Sequence, residues 1–351
     1  MIWELGDTMA TRRTTISKYQ ENERKKAIKL ISESEIFYGG KGGKYFMRSP
    51  RDFVLLDWKN NFHKSVLEQG ILDYFDKKAG NNISWWGGGE EPTGHVLSSQ
   101  IACLNHLFPI RNDKNEVLKI AQIICEDITD VLEITTDKNP AYIAFEAVSE
   151  KDYLNECNGQ KPTRGSLCTS IDALIYAKNE KGKKYILPIE WKYTEHYRNE
   201  DKSVEPRKSE PEGTNGKGQE RLGRYCYNKK ERLIDNSKQL KTLDNYKSSV
   251  YFFEPFYQLM RQTLWAEQMI ANRNSEKISA EDFIHAHIIP QENSNLLNKK
   301  YPCSSGKNME TTWRECLQDQ SKYKIISPKD LLAKIDPNKY ADLKKYLKER
   351  Y

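Results

Sequence analysis

Apolar positions along the chain follow two periods. In HVLSSQIACLNHLFPI (95–110), Val96, Ile101, Leu104 and Leu107 recur at helical spacing, and Ser98 or Ser99 stands where a helix cap belongs. From residue 141 the pattern shortens. AYIAFEAVS (141–149) is rich in β-formers, and beyond a polar loop over 151–165 come SIDALIYA (170–177) and KYILPIEWKY (184–193). The charged turn between these two runs contains Gly182, so they read as an antiparallel hairpin. A polar stretch over 197–228, with Pro206 and Pro211, reads as a loop or insertion. Phe253, Phe256, Tyr257, Met260 and Leu264 then mark one face of a long helix, and EDFIHAHIIP (281–290) reads as a strand. A last helix starts at Ser327, with Pro328 in its first turn, and a Lys-rich helix follows.

The order helix, three strands, long helix, strand predicts an α/β fold. The expected organisation is an N-terminal extension over 1–93, a core over 94–300 carrying the insertion, and a helical tail over 301–351. Residues 9–35 are polar and basic and end in a helical stretch, so they read as peripheral.

Composition narrows the classes. Only 37% of the 351 residues are hydrophobic, yet seven Trp and twenty Tyr supply bulky material for a core, which excludes wholesale disorder. No apolar run reaches eighteen residues, so no membrane span is expected. The start lacks a secretory pattern, and a cytoplasmic location is expected. The seven cysteines are odd in number and form no CxxC pair, so reduced thiols are expected.

Asp172 and the segment Ile189-Glu190-Trp191-Lys192-Tyr193 carry the candidate chemistry. Alternation puts Glu190 and Lys192 on one face of a strand and Ile189, Trp191 and Tyr193 on the other. A charged pair in so apolar a strand is costly unless it is paired or ligates a metal. Closing the hairpin brings Asp172 near Glu190, and two carboxylates make an oxygen-rich site suited to Mg²⁺. A cation held there would stabilise the charge that builds up as a phosphodiester is cut. The plain alternative is a cross-strand ion pair on a solvated sheet face.

The arrangement Asp172 … Glu190-x-Lys192, with this order of elements over roughly residues 94–290, resembles the PD-(D/E)XK nuclease superfamily and, within it, a restriction endonuclease-like bacterial group. Ile171, rather than proline, precedes Asp172. The resemblance implies an αβββαβ core with a central mixed sheet, flanked by mainly helical extensions. It also implies a Mg²⁺-dependent endodeoxyribonuclease, with Mn²⁺ as a substitute. Asp172 and Glu190 would be the metal ligands, and Lys192 the residue that positions or activates water. Two other readings stay open: a non-catalytic nucleic-acid-binding protein on the same scaffold, and an RNA-processing nuclease. A homodimer would let two sites cut both strands of a duplex.

Further candidates surround this set. Glu146, in the first strand, is a possible third carboxylate and metal ligand. The superfamily often draws that acid from the first helix, where this chain offers Gln100 and Asn105. Glu254, Gln258, Arg261 and Gln262 fall on one stripe of the long helix and are candidates, with Gln100, for contacts to substrate. His285-x-His287, with Cys303 and Cys316, invites a zinc reading, but strand alternation explains the histidines and the cysteine spacing fits no zinc pattern. His95 lies near a Gly-rich turn, and neither such turn matches a P-loop. Residues 178–247 hold eighteen Lys and Arg against twelve Asp and Glu, which accounts for the whole net charge of +6. That locates the expected phosphate contacts in the insertion, at Arg221, Arg224, Lys229 and Lys230.

Overall fold

The computed structural model describes residues 16–46, 48–76, 83, 85, 89–134, 141–164, 168–207, 215–227 and 232–351. Helix α1 (Lys18–Glu33) leads into an antiparallel hairpin of β1 (Gly42–Phe46) and β2 (Ser49–Leu55). The chain returns along β2, with the Leu55 N–H donating to Gly94 O at 2.9 Å. A Cβ on Gly94 would sit 2.3 Å from Leu55 O, so only glycine allows this approach. The close passage delivers the chain to α2 (Ser99–Leu107), which Ser98 caps by accepting from the Ile101 N–H.

After α3 (Lys114–Ile124), strands β3 (Ile128–Leu132) and β4 (Ile143–Ala147) lie end to end along one edge of β5 (Ile171–Asn179). Strand β6 (Lys184–Trp191) pairs antiparallel with β5 around the Gly182 turn. The sheet then turns parallel. Strands β7 (Asp282–Phe283) and β8 (His285–Ile288) pair with β6, and β9 (Tyr323–Ile326) pairs with β8. The mixed central sheet of the expected fold is present.

Both faces of the sheet are covered, which is why β5 and β6 read as nearly continuous apolar runs. One core holds Ile189, Trp191 and Tyr193 together with α2, α3 and residues of α6 (Pro328–Lys334) and α7 (Ala341–Arg350). The other packs α5 (Phe256–Ala271) and residues around α4 (Gly216–Leu222) against Leu174, Tyr176 and Ile186. Ser327 caps α6 in a reciprocal capping box with Asp330, worth about 1 kcal/mol.

Several elements differ from the sequence reading. Helix α3 and strand β3 stand where no element was expected. The long helix begins only at Phe256, because Pro255 has no N–H and cannot continue a helical ladder, so Glu254 lies before the helix rather than on its stripe. The flanking stretches are not merely helical: residues 42–55 form a hairpin, and the C-terminal stretch supplies β9, an outer strand of the main sheet. The polar insertion also contains α4 and the π-helical turn Gly223–Tyr227.

Candidate active site

The register of the β5–β6 hairpin sets the chemistry. Ala173 lies opposite Ile189, so Asp172 falls across from Glu190. Asp172 Oδ2 accepts from the Trp191 N–H at 2.7 Å. Beyond the strand's end, the Lys192 N–H donates to Ile288 O at 2.8 Å, and this fixes the residue that must face Glu190. Alternation holds as expected: Glu190 and Lys192 share a face opposite the core residues, and both are buried.

Glu190 is gripped on both oxygens. Lys192 Nζ donates to Oε1, and Gln262 Nε2 donates to Oε2. Lys192 Nζ also donates to Gln258 Oε1 at 2.6 Å. One turn of α5 thus reaches both members of the pair, with Gln258 and Gln262 at i and i+4.

Glu146 enters by a different device. It stands in mid-strand between Phe145, opposite Ala173, and Ala147, opposite Ile171, yet its φ is +49°. A non-glycine residue in the left-handed region costs roughly 1–2 kcal/mol, so its neighbours must hold it there. Gln100 Nε2 donates to its Oε1 at 2.8 Å, and Ser170 Oγ donates to its Oε2 at 2.7 Å. Gln100, on the first helix, therefore supports Glu146. Asn105 lies elsewhere: its side chain donates to Asn61 O and to the hydroxyls of Tyr346 and Tyr351.

All four groups line a cleft of about 880 Å³, together with Gln258 and Gln262. Burial raises the Asp172 carboxyl well above the ordinary range, with Glu190 and then Glu146 adding to it, while Lys192 and the Trp191 N–H pull it down. Burial also raises Glu146, against the hydrogen bonds from Gln100 and Ser170. Burial, the largest single influence, would lower the Lys192 ammonium, but Glu190, Tyr197, Glu195 and Asp172 together outweigh it and the net shift is upward.

Three carboxylates against one ammonium leave the cluster short of positive charge. A hard, oxygen-preferring divalent cation supplies what is missing, so Asp172, Glu190 and Glu146 fit Mg²⁺ or Mn²⁺ by charge and donor type. Among the described residues, no three His, Cys, Asp or Glu side chains are already gathered into a coordination shell. Five of the six carboxylate oxygens are instead engaged by Trp191, Gln100, Ser170, Lys192 and Gln262. Binding a cation would exchange some of these hydrogen bonds for metal contacts.

The other candidates are placed differently. Arg261 lines the cleft, but its Nε donates to Glu156 Oε1 at 2.7 Å. Glu156 also accepts from Tyr225 Oη at 2.6 Å and from Thr169, in a buried cluster that a single acid within a polar loop gave no sign of. Arg221 pairs with Glu205 at 2.7 Å and Arg224 with Glu220 at 2.9 Å, and neither lines the cleft. The charge of the insertion was counted correctly, but acids of the same segment take up these two arginines. Lys229 and Lys230 lie outside the described residues.

His285 and His287 are buried neighbours on β8, with His287 Nδ1 2.8 Å from Tyr323 Oη. Burial pushes His285 down to about 3, so it stays neutral. Cys303 and Cys316 are free thiols. His95 is a buried neighbour of Phe46 and Phe53 at the far side of the cleft. No helix among the described residues is long and apolar enough to cross a membrane.

Comparison with known proteins gives a family match. A family model described as Restriction Endonuclease associating with ARP matches residues 19–351. No curated protein and no solved structure matches significantly.

Proposed function

The chain belongs to the family Restriction Endonuclease associating with ARP, and from that premise we propose that it is a Mg²⁺-dependent endodeoxyribonuclease whose active site is built on the β5–β6 hairpin. The observation that carries the reading is the buried meeting of Asp172, Glu190 and Lys192 on facing strands at the wall of an open cleft.

Asp172 and Glu190 would hold the cation, with Glu146 as the third carboxylate. When bound, the cation supplies Lewis-acid stabilisation of the phosphoryl oxygens and lowers the pKa of a bound water. Lys192 Nζ, set by Glu190 and Gln258, lies where it can orient water and offset negative charge on the phosphate. Gln258 and Gln262 hold the lysine and the glutamate in this geometry and are positioning residues. Gln100 and Ser170 do the same for Glu146. DNA follows from the family as the substrate class.

A second reading, a non-catalytic DNA binder, draws on the engagement of nearly all the carboxylate oxygens within the protein. One experiment separates the two. Supercoiled and linear duplex DNA are incubated with the purified protein in Mg²⁺, in Mn²⁺ and in EDTA. Cleavage in either metal and none in EDTA is expected; binding without cleavage in every metal tested would overturn the enzyme reading.

A further inference from the structure

Arg198 of the insertion lines the cleft, but cations from outside the basic segment line it as well. The cleft lined by Glu146, Asp172 and Glu190 has a further wall made by α1 and the β1–β2 hairpin, and it carries Arg24 and Arg51. We propose that Arg24 and Arg51 form a phosphate-binding subsite that grips the DNA backbone beside the bond being cut. The inference rests on the nuclease reading for the identity of the polyanion, but its physical basis is independent of catalysis.

The Arg24 guanidinium lies 4.8 Å from the centroid of the Phe53 ring, a stacking contact that fixes its plane. Phe53 is itself braced, since its ring and that of Phe46 lie 5.1 and 5.0 Å from the buried His95 ring. Arg51, on β2, lines the same cleft as Arg24 and Phe53, and its charge lies near enough to act on Arg24. Two arginines are thereby brought together on a rigid aromatic platform.

Neither forms an ion pair with a carboxylate among the described residues. Among the described residues, no carboxylate lies within 4.0 Å of either guanidinium, although Lys25, beside Arg24 on α1, is paired with Glu21 at 2.8 Å. Arg24 Nε is buried and makes no hydrogen bond. Burial and then the neighbouring Arg51 charge act against the Arg24 cation, and the Glu21 carboxylate only partly offsets them. Repelling, partly desolvated charges held side by side are costly, and an anion shared between them converts the repulsion into attraction. The planar fork of arginine matches two phosphate oxygens, and the open cleft leaves room for a backbone to run between the two walls. The acidic wall would hold the cation on one side of the phosphodiester chain while the arginines hold the neighbouring phosphate on the other. His95 does not add to the charge, because burial and Arg24 push it down to about 3.

The test is binding of a fluorescent duplex oligonucleotide in EDTA, measured by anisotropy across a salt series. Four proteins are compared: the parent, Arg24→Gln/Arg51→Gln, Arg51→Gln alone and Arg224→Gln. The double variant is expected to lose on the order of 10²-fold in affinity, as two charged hydrogen-bonding groups would give. Its salt slope is expected to fall by about 1.8, roughly 0.9 for each lost phosphate contact. Arg51 is exposed, so its single variant keeps the fold and should show about half the change in slope. Arg224→Gln should bind like the parent, since Glu220 already takes up that charge.

The proposal is overturned if the double variant keeps the parent's affinity and slope, if Arg224→Gln lowers them equally, or if the parent binds no duplex. The nuclease reading fails in a different way. Salt-dependent binding with no cleavage in Mg²⁺ or Mn²⁺ removes the enzyme and leaves the subsite standing.

Discussion

Replacing Asp172 with Asn is expected to reduce DNA cleavage by about 10³-fold or more while making the metal-free protein more stable at neutral pH. The loss follows from removing a carboxylate that holds a catalytic cation, an interaction worth several kcal/mol in the transition state. The gain follows from the same residue's surroundings. Burial, Glu190 and Glu146 all raise the Asp172 carboxyl, so the folded chain binds its proton more tightly than the unfolded chain does. A carboxyl raised in this way favours folding below its unfolded value, near 4, and that contribution is lost as pH climbs through the folded value. At pH 7, well above the unfolded value, the group therefore opposes folding. Asparagine is nearly isosteric, keeps an oxygen for the Trp191 N–H and carries no charge.

Melting curves should show the variant above the parent at neutral pH, with a shift of roughly 2–4 °C per kcal/mol relieved. The gap should close as the buffer is taken below about pH 4. Saturating Mg²⁺ should raise the parent's midpoint more than the variant's. Undiminished cleavage by the variant, or a lower melting point at pH 7, would contradict the assignment.

The second large effect concerns Lys192. Lys192→Met removes the cation and leaves Glu190 buried, held only by Gln262. Breaking one side of a buried ion pair costs about 3–5 kcal/mol, and loss of a positioned proton-handling group costs about 10²–10⁴-fold in rate. Both losses are expected, in urea unfolding and in cleavage assays. Glu190→Gln/Lys192→Met separates them: it removes both charges and should recover most of the stability with none of the activity. If the double variant is no more stable than Lys192→Met, the pair does not carry the cost assigned to it.

These residues were legible in the sequence because their signal is local. A strand has period two, a tight turn sets the register, and Asp172, Glu190 and Lys192 all lie within one hairpin. Gln258 and Gln262 were found through helical spacing. Glu146 was recognised by type, but its backbone twist depends on Gln100 and Ser170, which no short pattern links to it. The basic segment is a different case. A count of charges reports their number but not their partners, and Arg221 and Arg224 have theirs within the same segment. Arg24 was passed over because residues 9–35 read as peripheral, and Arg51 because no motif in the N-terminal extension singles it out. Only packing turns Phe53 and His95 into a support for them.

The late position of β9 and α7 affects how the site comes into being. Arg350 is buried, and its guanidinium donates to Asn61 O at 2.6 Å and to Val96 O at 3.3 Å, tying the last helix to the segment that leads into α2 and Gln100. Strand β9 covers β8, which is the parallel neighbour of β6. Every residue proposed for catalysis is thus translated well before the pieces that lock its framework. On a ribosome the hairpin would emerge with an open sheet edge beside β8 and an unanchored first helix. On the proposed nuclease reading, a nascent chain of this kind would carry its catalytic side chains without the geometry to use them, a safeguard in time for the cell's own DNA. Chains stopped before Tyr323 should be readily digested by protease and inactive on DNA; a protease-resistant, active truncation would rule this order of assembly out.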